Sequence, residues 1–162
     1  MQKFYGTKLI AAKAMNRREY NQFRGWELPA DERPEDEGYL VEYLDGGKPN
    51  VEGYAGYVSW SPKEQFDNAY QPTTAMSFGH AVEALKSGMK VARSGWNGKG
   101  MFLFLVPGST FKVNRAPLLG IYPEGTEINY QSHIDMKTAQ DTVVPWLASQ
   151  GDVLANDWQI VE

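Results

Sequence analysis

Two short stretches carry the residue types that recognise small molecules. The first is Ser94-Gly95-Trp96-Asn97-Gly98-Lys99-Gly100, which runs straight into the apolar segment from Met101 to Pro107. Its glycines let backbone N–H groups approach a ligand closely and can form an anion-binding nest, and Lys99 adds a charge for phosphate. It is not a Walker loop, because glycine follows the lysine where Ser or Thr is needed, and it lacks the dinucleotide fingerprint. The second stretch comprises Val144-Pro145-Trp146-Leu147-Ala148-Ser149-Gln150 and Asn156-Asp157-Trp158. Pro145 restricts the backbone before Trp146 and so can hold that indole in a defined place. Two indoles facing each other would sandwich a nucleobase, each stack contributing roughly 1–3 kcal/mol. A nanomolar site needs about 12 kcal/mol, so Asn97, Ser149, Gln150, Asp157 and phosphate contacts would have to supply the rest. Spacing alone admits a second reading: Trp96 tucked into a tight β-hairpin, and Trp146 and Trp158 as ordinary core. Trp158, which alternates with Ile160, reads as core.

Catalysis and metal binding find less support. His133-x-Asp135 has no third ligand nearby, and His80 lies on a helix whose other face is apolar. No cysteine is present, which removes thiolate nucleophiles, disulfides and cysteine-built zinc sites together. Serines, histidines and carboxylates occur, but no motif groups them, so the expectation is no catalytic residue, no metal and no cofactor. The net charge of -4 argues against a nonspecific nucleic-acid coat, whose affinity comes from many cationic contacts to phosphate. No run is apolar and long enough to span a bilayer, and no signal peptide is evident, so a cytoplasmic location is expected. Five tryptophans and nine tyrosines, many beside Gly or Pro, favour flat stacking surfaces.

The elements that must position these residues follow from local pattern. Residues Lys3 to Met15 start with a short strand-like segment, and Asn16-Arg17-Arg18-Glu19 then has the form of a capping box and predicts a helix to about Phe23. The acidic run from Asp31 to Glu37, flanked by Pro29 and containing Pro34, reads as an exposed loop. Strands over Gly38–Leu44 and Tyr54–Trp60 make a hairpin, and Ser61-Pro62-Lys63-Glu64 predicts a capped helix through Tyr70. The polar segment Gln71 to Ala75 reads as a boundary between domains at 1–72 and 76–162. Beyond it, Ser77 caps an amphipathic helix with Phe78, Ala81, Val82 and Leu85 on one face, ending near Gly88. A short strand at Lys90–Arg93 and a buried strand at Met101–Val106 flank the tryptophan turn. A meander with long loops follows to Val144, then a turn or short helical start at Ser149 and a closing strand at Trp158–Val161. The whole reads as α+β, a small antiparallel sheet with an N-terminal amphipathic helix preceded by a small α+β domain.

Several blocks also resemble one family. Met76-Ser77-Phe78-Gly79, Ala81 to Leu85, Ala92 to Lys99, Met101 to Pro107, His133 to Ala139, Val144 to Gln150 and Leu154 to Val161 are similar, in order, to the second Thoeris anti-defence family of phage proteins. The resemblance covers 76–162. It implies a non-enzymatic sponge, homotetrameric and working in the cytoplasm of the infected bacterial host. Such a sponge sequesters a cyclic ADP-ribose isomer made from NAD, and in some members cyclic oligonucleotides of CBASS defence. It implies pocket roles for Trp96, Asn97, Trp146, Asn156 and Asp157. Against the shortest members, Asn114 to Gln131 looks like an insertion that would reshape the pocket or form a second one. The resemblance implies no activity for residues 1–72. Two other function classes stand beside it: a hydrolase of the same signals using His133 or a carboxylate, and a protein-binding module built on the acidic loop and the N-terminal aromatics.

Overall fold

A computed structural model describes all 162 residues, which divide into two compact units, Met1–Gln71 and Pro72–Glu162. In the first, β1 (Ile10–Ala14), β2 (Gly38–Tyr43) and β3 (Val58–Pro62) form an antiparallel sheet with β2 in the middle. Helix α1 (Arg17–Arg24) begins at Asn16 with the expected capping box and ends at Gly25 in the left-handed conformation. Its Tyr20 packs with Leu40 and Val58 on one face of the sheet. Helix α2 (Lys63–Ala69) belongs to the other face, where Phe66 stacks on Tyr39 at 3.9 Å.

Two expectations in this unit are corrected, and a third is extended, by interactions that local pattern does not reveal. The second hairpin strand starts at Val58 and not at Tyr54. Asn50 bonds both the N–H and the C=O of Val58, and Glu42 Oε1 accepts the Ala55 and Gly56 amides, so the preceding segment is held as a loop. Ser61 does not cap α2. It pairs with Tyr39 in the ladder, leaving Pro62 as the cap residue, while the Lys63 amide bonds the Glu37 carbonyl. The acidic loop is fastened as well as exposed. Carbonyls of Pro34 and Asp36 accept the Arg18 and Arg17 amides at the start of α1, and Glu32 pairs with Arg17, whose guanidinium lies 4.8 Å over Trp60. Helix N-termini carry unpaired amides, so an acidic loop is a fitting partner there.

The second unit opens with α3 (Phe78–Lys86), β4 (Lys90–Arg93) and β5 (Phe102–Val106). It continues through β6 (Ser109–Lys112), β7 (Glu127–Tyr130), β8 (His133–Lys137), β9 (Val143–Pro145), α4 (Gln150–Val153) and β10 (Trp158–Val161). Five strands form an antiparallel sheet in the order β10-β4-β5-β8-β9, and β6 with β7 makes a separate ribbon. The fold class is α+β.

Helix α3 lies across β10, β4 and β5, burying Ala81, Ala84 and Leu85 at the i, i+3, i+4 spacing. They meet Met76, Val91, Leu103 and Trp158. Ala84 joins Ala81 and Leu85 on the buried face, while Val82 is half-buried. Ser77 also departs from expectation: its hydroxyl meets His80 Nδ1 at 2.9 Å and makes no capping bond to the backbone. Strand β5 is buried on one face only. Leu103 and Leu105 join the core, whereas Phe102 and Phe104, alternating with them, are half-buried on the opposite face. Met76 closes the unit by exchanging backbone bonds of 2.7 and 3.1 Å with Trp158.

Trp158 has no solvent exposure, so truncating it leaves a large cavity in this core. Trp158→Ala should cost about 3–5 kcal/mol. Denaturant unfolding in a Trp26→Phe, Trp60→Phe background, where the remaining tryptophan fluorescence reports on this unit, measures the loss; a cost below about 1 kcal/mol would contradict the described packing.

Candidate functional site

Trp158 sits at the start of β10, where the strand pairs with β4 and register sets Trp158 opposite Arg93. Its ring is the hub of an aromatic cluster. Trp96 meets it edge-on at 5.5 Å and 78°, Trp146 edge-on at 6.1 Å and 83°, and Phe78 at 5.5 Å. Edge-to-face contacts at these separations are favourable because the positive ring edge meets the negative face. Trp96 and Trp146 are therefore related through Trp158 and do not stack on each other. Both remain half-buried.

The turn carrying Trp96 is pinned by carboxylates from the chain's last segment. Asp157 Oδ2 accepts the Gly95 amide at 2.8 Å and the Ser94 hydroxyl at 3.4 Å, while Asp157 Oδ1 accepts Arg93 Nε at 2.8 Å. Arg93 Nη1 donates to Asp152 Oδ1 at 2.9 Å, and the Trp96 indole N–H reaches the same oxygen at 3.3 Å. Asp152 Oδ2 accepts the amide and hydroxyl of Ser149 at 3.1 and 2.7 Å, and the Ser149 hydroxyl accepts the Asp152 amide in return, capping α4. The Trp158 indole N–H completes the set by donating to the Asp152 carbonyl at 3.0 Å. One residue, Asp152, thus receives both indole N–H groups.

Charge in the cluster is correspondingly settled. Burial works against ionisation of Asp152, but hydrogen bonds from Ser149, Arg93 and Trp96 outweigh it and hold the carboxyl down at about 2. Asp157 is lowered by its hydrogen bond from Arg93, with burial opposing and the Gly95 amide assisting. The guanidinium is raised by Asp157 and then Asp152.

The residues singled out in the sequence divide into two groups. Trp96, Trp146, Ser149 and Asp157 are drawn into this cluster. Asn97, Lys99, Gln150 and Asn156 are exposed, and Lys99 makes no ion pair. Gly98 is close-packed, since a Cβ there would press on Met101 and Ala139. Sequence reasoning missed Arg93, Asp152 and Phe78 as members of the cluster. Only Asp152 left a legible signal, the Ser149-x-x-Asp152 spacing of a capping box.

The other chemical candidates lie elsewhere. His133 and Asp135 alternate along β8 with Ile134, whose side chain joins the core around Trp158, so they project from the opposite face of the sheet. His133 Nδ1 contacts the Gln131 carbonyl at 3.1 Å and Nε2 lies 3.7 Å from Asp135 Oδ1. No group of three or more metal-ligating side chains is assembled. The segment from Asn114 to Gln131 comprises most of the β6–β7 connection, β7 itself and the residue after it. Val113 is buried and bonded to Thr126 and Gly125, while Leu119, Ile121 and Tyr122 are exposed. In the first unit an open cleft of about 570 Å³ is lined by Asn16, Arg18, Glu19, Glu35, Tyr39 and Lys63 among others. No helix is long and apolar enough to cross a membrane.

Because the Asp152 carboxyl is depressed on folding, its stabilisation is fully present above about pH 4 and is lost as pH falls towards 2. Asp152→Asn should therefore cost roughly 2 kcal/mol at pH 7 and much less at pH 2.5. Denaturant midpoints of both proteins at the two pH values give the comparison; an equal deficit at both would show that the carboxylate charge is immaterial.

Comparison with known proteins adds the family. Residues 76–161 match the family described as Thoeris anti-defense 2-like domain. A protein of Bacillus phage SP01 named Thoeris anti-defense 2 is 48% identical over 88 residues, covering 54% of this chain and 97% of the relative. The match spans the tryptophan turn, the Arg93–Asp152–Asp157 cluster and the strand carrying Trp158, and the chain belongs to the Thoeris anti-defense 2-like family of phage anti-defence proteins.

Proposed function

We propose that this protein captures cyclic nucleotide immune signals and holds them without degrading them. The first candidate ligand is the cyclic ADP-ribose isomer of Thoeris defence, and cyclic oligonucleotides of CBASS are a second class. The observation that carries this reading is the pair of half-buried tryptophans, Trp96 and Trp146, both braced edge-on against the buried Trp158. Rigid aromatic faces stack on nucleobases with little ordering cost on binding. The exposed Lys99 and the glycine turn offer a cation and backbone N–H groups to phosphate. Asn97, Gln150 and Asn156, all exposed, supply the remaining hydrogen bonds.

On this reading the ligand lies outside the chain's own charge cluster and needs no general acid, base or nucleophile. The protein works in the cytoplasm of the infected host, as a homotetramer, with residues 1–72 as an accessory domain. A hydrolase using His133 is the less economical alternative. That histidine and its neighbour Asp135 project from the sheet face opposite the indoles, too poorly placed to act on a molecule stacked there.

The test is depletion and recovery. Incubation with the cyclic ADP-ribose isomer, removal of protein by filtration and heating of the retained fraction should return the isomer at its original mass. Trp96→Ala and Trp146→Ala, each removing one stack, should weaken retention roughly tenfold or more while the unit stays folded. Recovery of an altered product would make the protein an enzyme. No depletion of this isomer, or of cyclic di- and trinucleotides, would sink the sequestration reading.

A further inference from the structure

The four carboxylate oxygens of Asp152 and Asp157 are all engaged within the chain, by Arg93, Ser94, Gly95, Trp96 and Ser149. Arg93 alone bridges the two, Nε to one and Nη1 to the other, with its side chain only 21% exposed. It stands on β4, one residue before the turn, directly opposite Trp158 in the strand ladder. It therefore ties the start of the turn to α4 and to the residue preceding β10 simultaneously.

We infer that Arg93 is a positioning residue for ligand capture: it fixes the Trp96 turn through Asp152 and Asp157, and Asp157 serves the site by holding that turn rather than by touching the ligand. The inference rests on the sequestration reading and specifies how its pocket is kept in shape. Its physical basis is charge. An anionic ligand is repelled by bare carboxylates, so two aspartates can border its site only if cations and N–H groups within the protein have already taken them up. The same bonds leave the indole N–H of Trp96 satisfied internally, so this ring offers a ligand its face. A lysine at position 93 would reach one carboxylate at a time, because only the guanidinium presents two donors in a fixed fork.

The experiment follows two readouts on the full chain. The first needs no ligand: hydrogen exchange of the indole N–H of Trp96, assigned by its loss in Trp96→Phe, with the Trp158 indole as internal reference. The second is retention of the cyclic ADP-ribose isomer. In Arg93→Met the Trp96 indole should exchange roughly tenfold faster or more while Trp158 stays protected, and retention should fall by a similar factor. Arg93→Lys should lie between this variant and the parent in both readouts. Asp157→Asn, which keeps an acceptor for the Gly95 amide but loses the charge, should speed Trp96 exchange and weaken retention together.

If Asp157→Asn weakens retention with Trp96 exchange unchanged, Asp157 touches the ligand and the proposal is overturned. Unchanged Trp96 exchange in Arg93→Met overturns it too, as does equal loss of protection at Trp158, which would mean that the network supports the whole unit. A parent protein that retains neither the isomer nor cyclic di- and trinucleotides would defeat the sequestration reading alone. The exchange readout would then still decide whether Arg93 fixes the turn.

Discussion

Burial of the Trp158 ring is the constraint on which the C-terminal unit depends. This side chain is reached by α3 through Phe78, by the turn after β4 through Trp96, by the segment after β9 through Trp146, and by α4 through the Asp152 carbonyl. A single large ring meeting four parts of the chain forces them into one arrangement, because interiors pack at crystal-like density and leave no slack for independent movement. Its N–H would be costly to bury unpaired, and the Asp152 carbonyl removes that cost. Packing and hydrogen bonding at this residue thus agree, and the two outer tryptophans inherit their orientation from it.

Around that hub the electrostatics follow a consistent logic. One arginine shared between two aspartates leaves a local charge of one negative unit, dispersed over bonds to Ser94, Gly95, Trp96 and Ser149. Buried or half-buried charges are tolerated when paired and hydrogen-bonded in this way. Lys99, by contrast, lies outside the cluster and keeps its charge unpaired. The division between a settled interior network and a free cation on the turn is what an anion-binding surface requires, and it matches the proposed capture of a phosphate-bearing ligand.

The N-terminal unit shows how side-chain bonds override local pattern. Its capping box at Asn16 involves residues three apart and was legible from the sequence. The start of β3 was not, because Asn50 and Glu42 hold the loop before Val58 from eight and thirteen residues away or more. The acidic residues and prolines of the loop from Asp31 to Glu37 predict exposure alone, yet its carbonyls serve the first turn of α1. A carbonyl carries no trace of its partner in the residue type, so this role could not be seen in the sequence.

The same distinction governs the candidate site. By itself the sequence determined the elements of local origin: the amphipathic α3, the strands flanking the glycine turn, the closing strand at Trp158, and the presence of two tryptophan blocks resembling one family. Periodicity, turn residues and capping are interactions between near neighbours, and residue order encodes them directly. Tertiary structure alone decided that both outer indoles lean on Trp158, that β5 is buried on one face, and that His133 projects from the other side of the sheet. It also decided that Asp157 faces Arg93, a residue 64 positions away in the chain. The physical reason is that strand order, β10 beside β4, sets which distant charges meet, and that order results from the global burial of Trp158 and its neighbours rather than from any local preference.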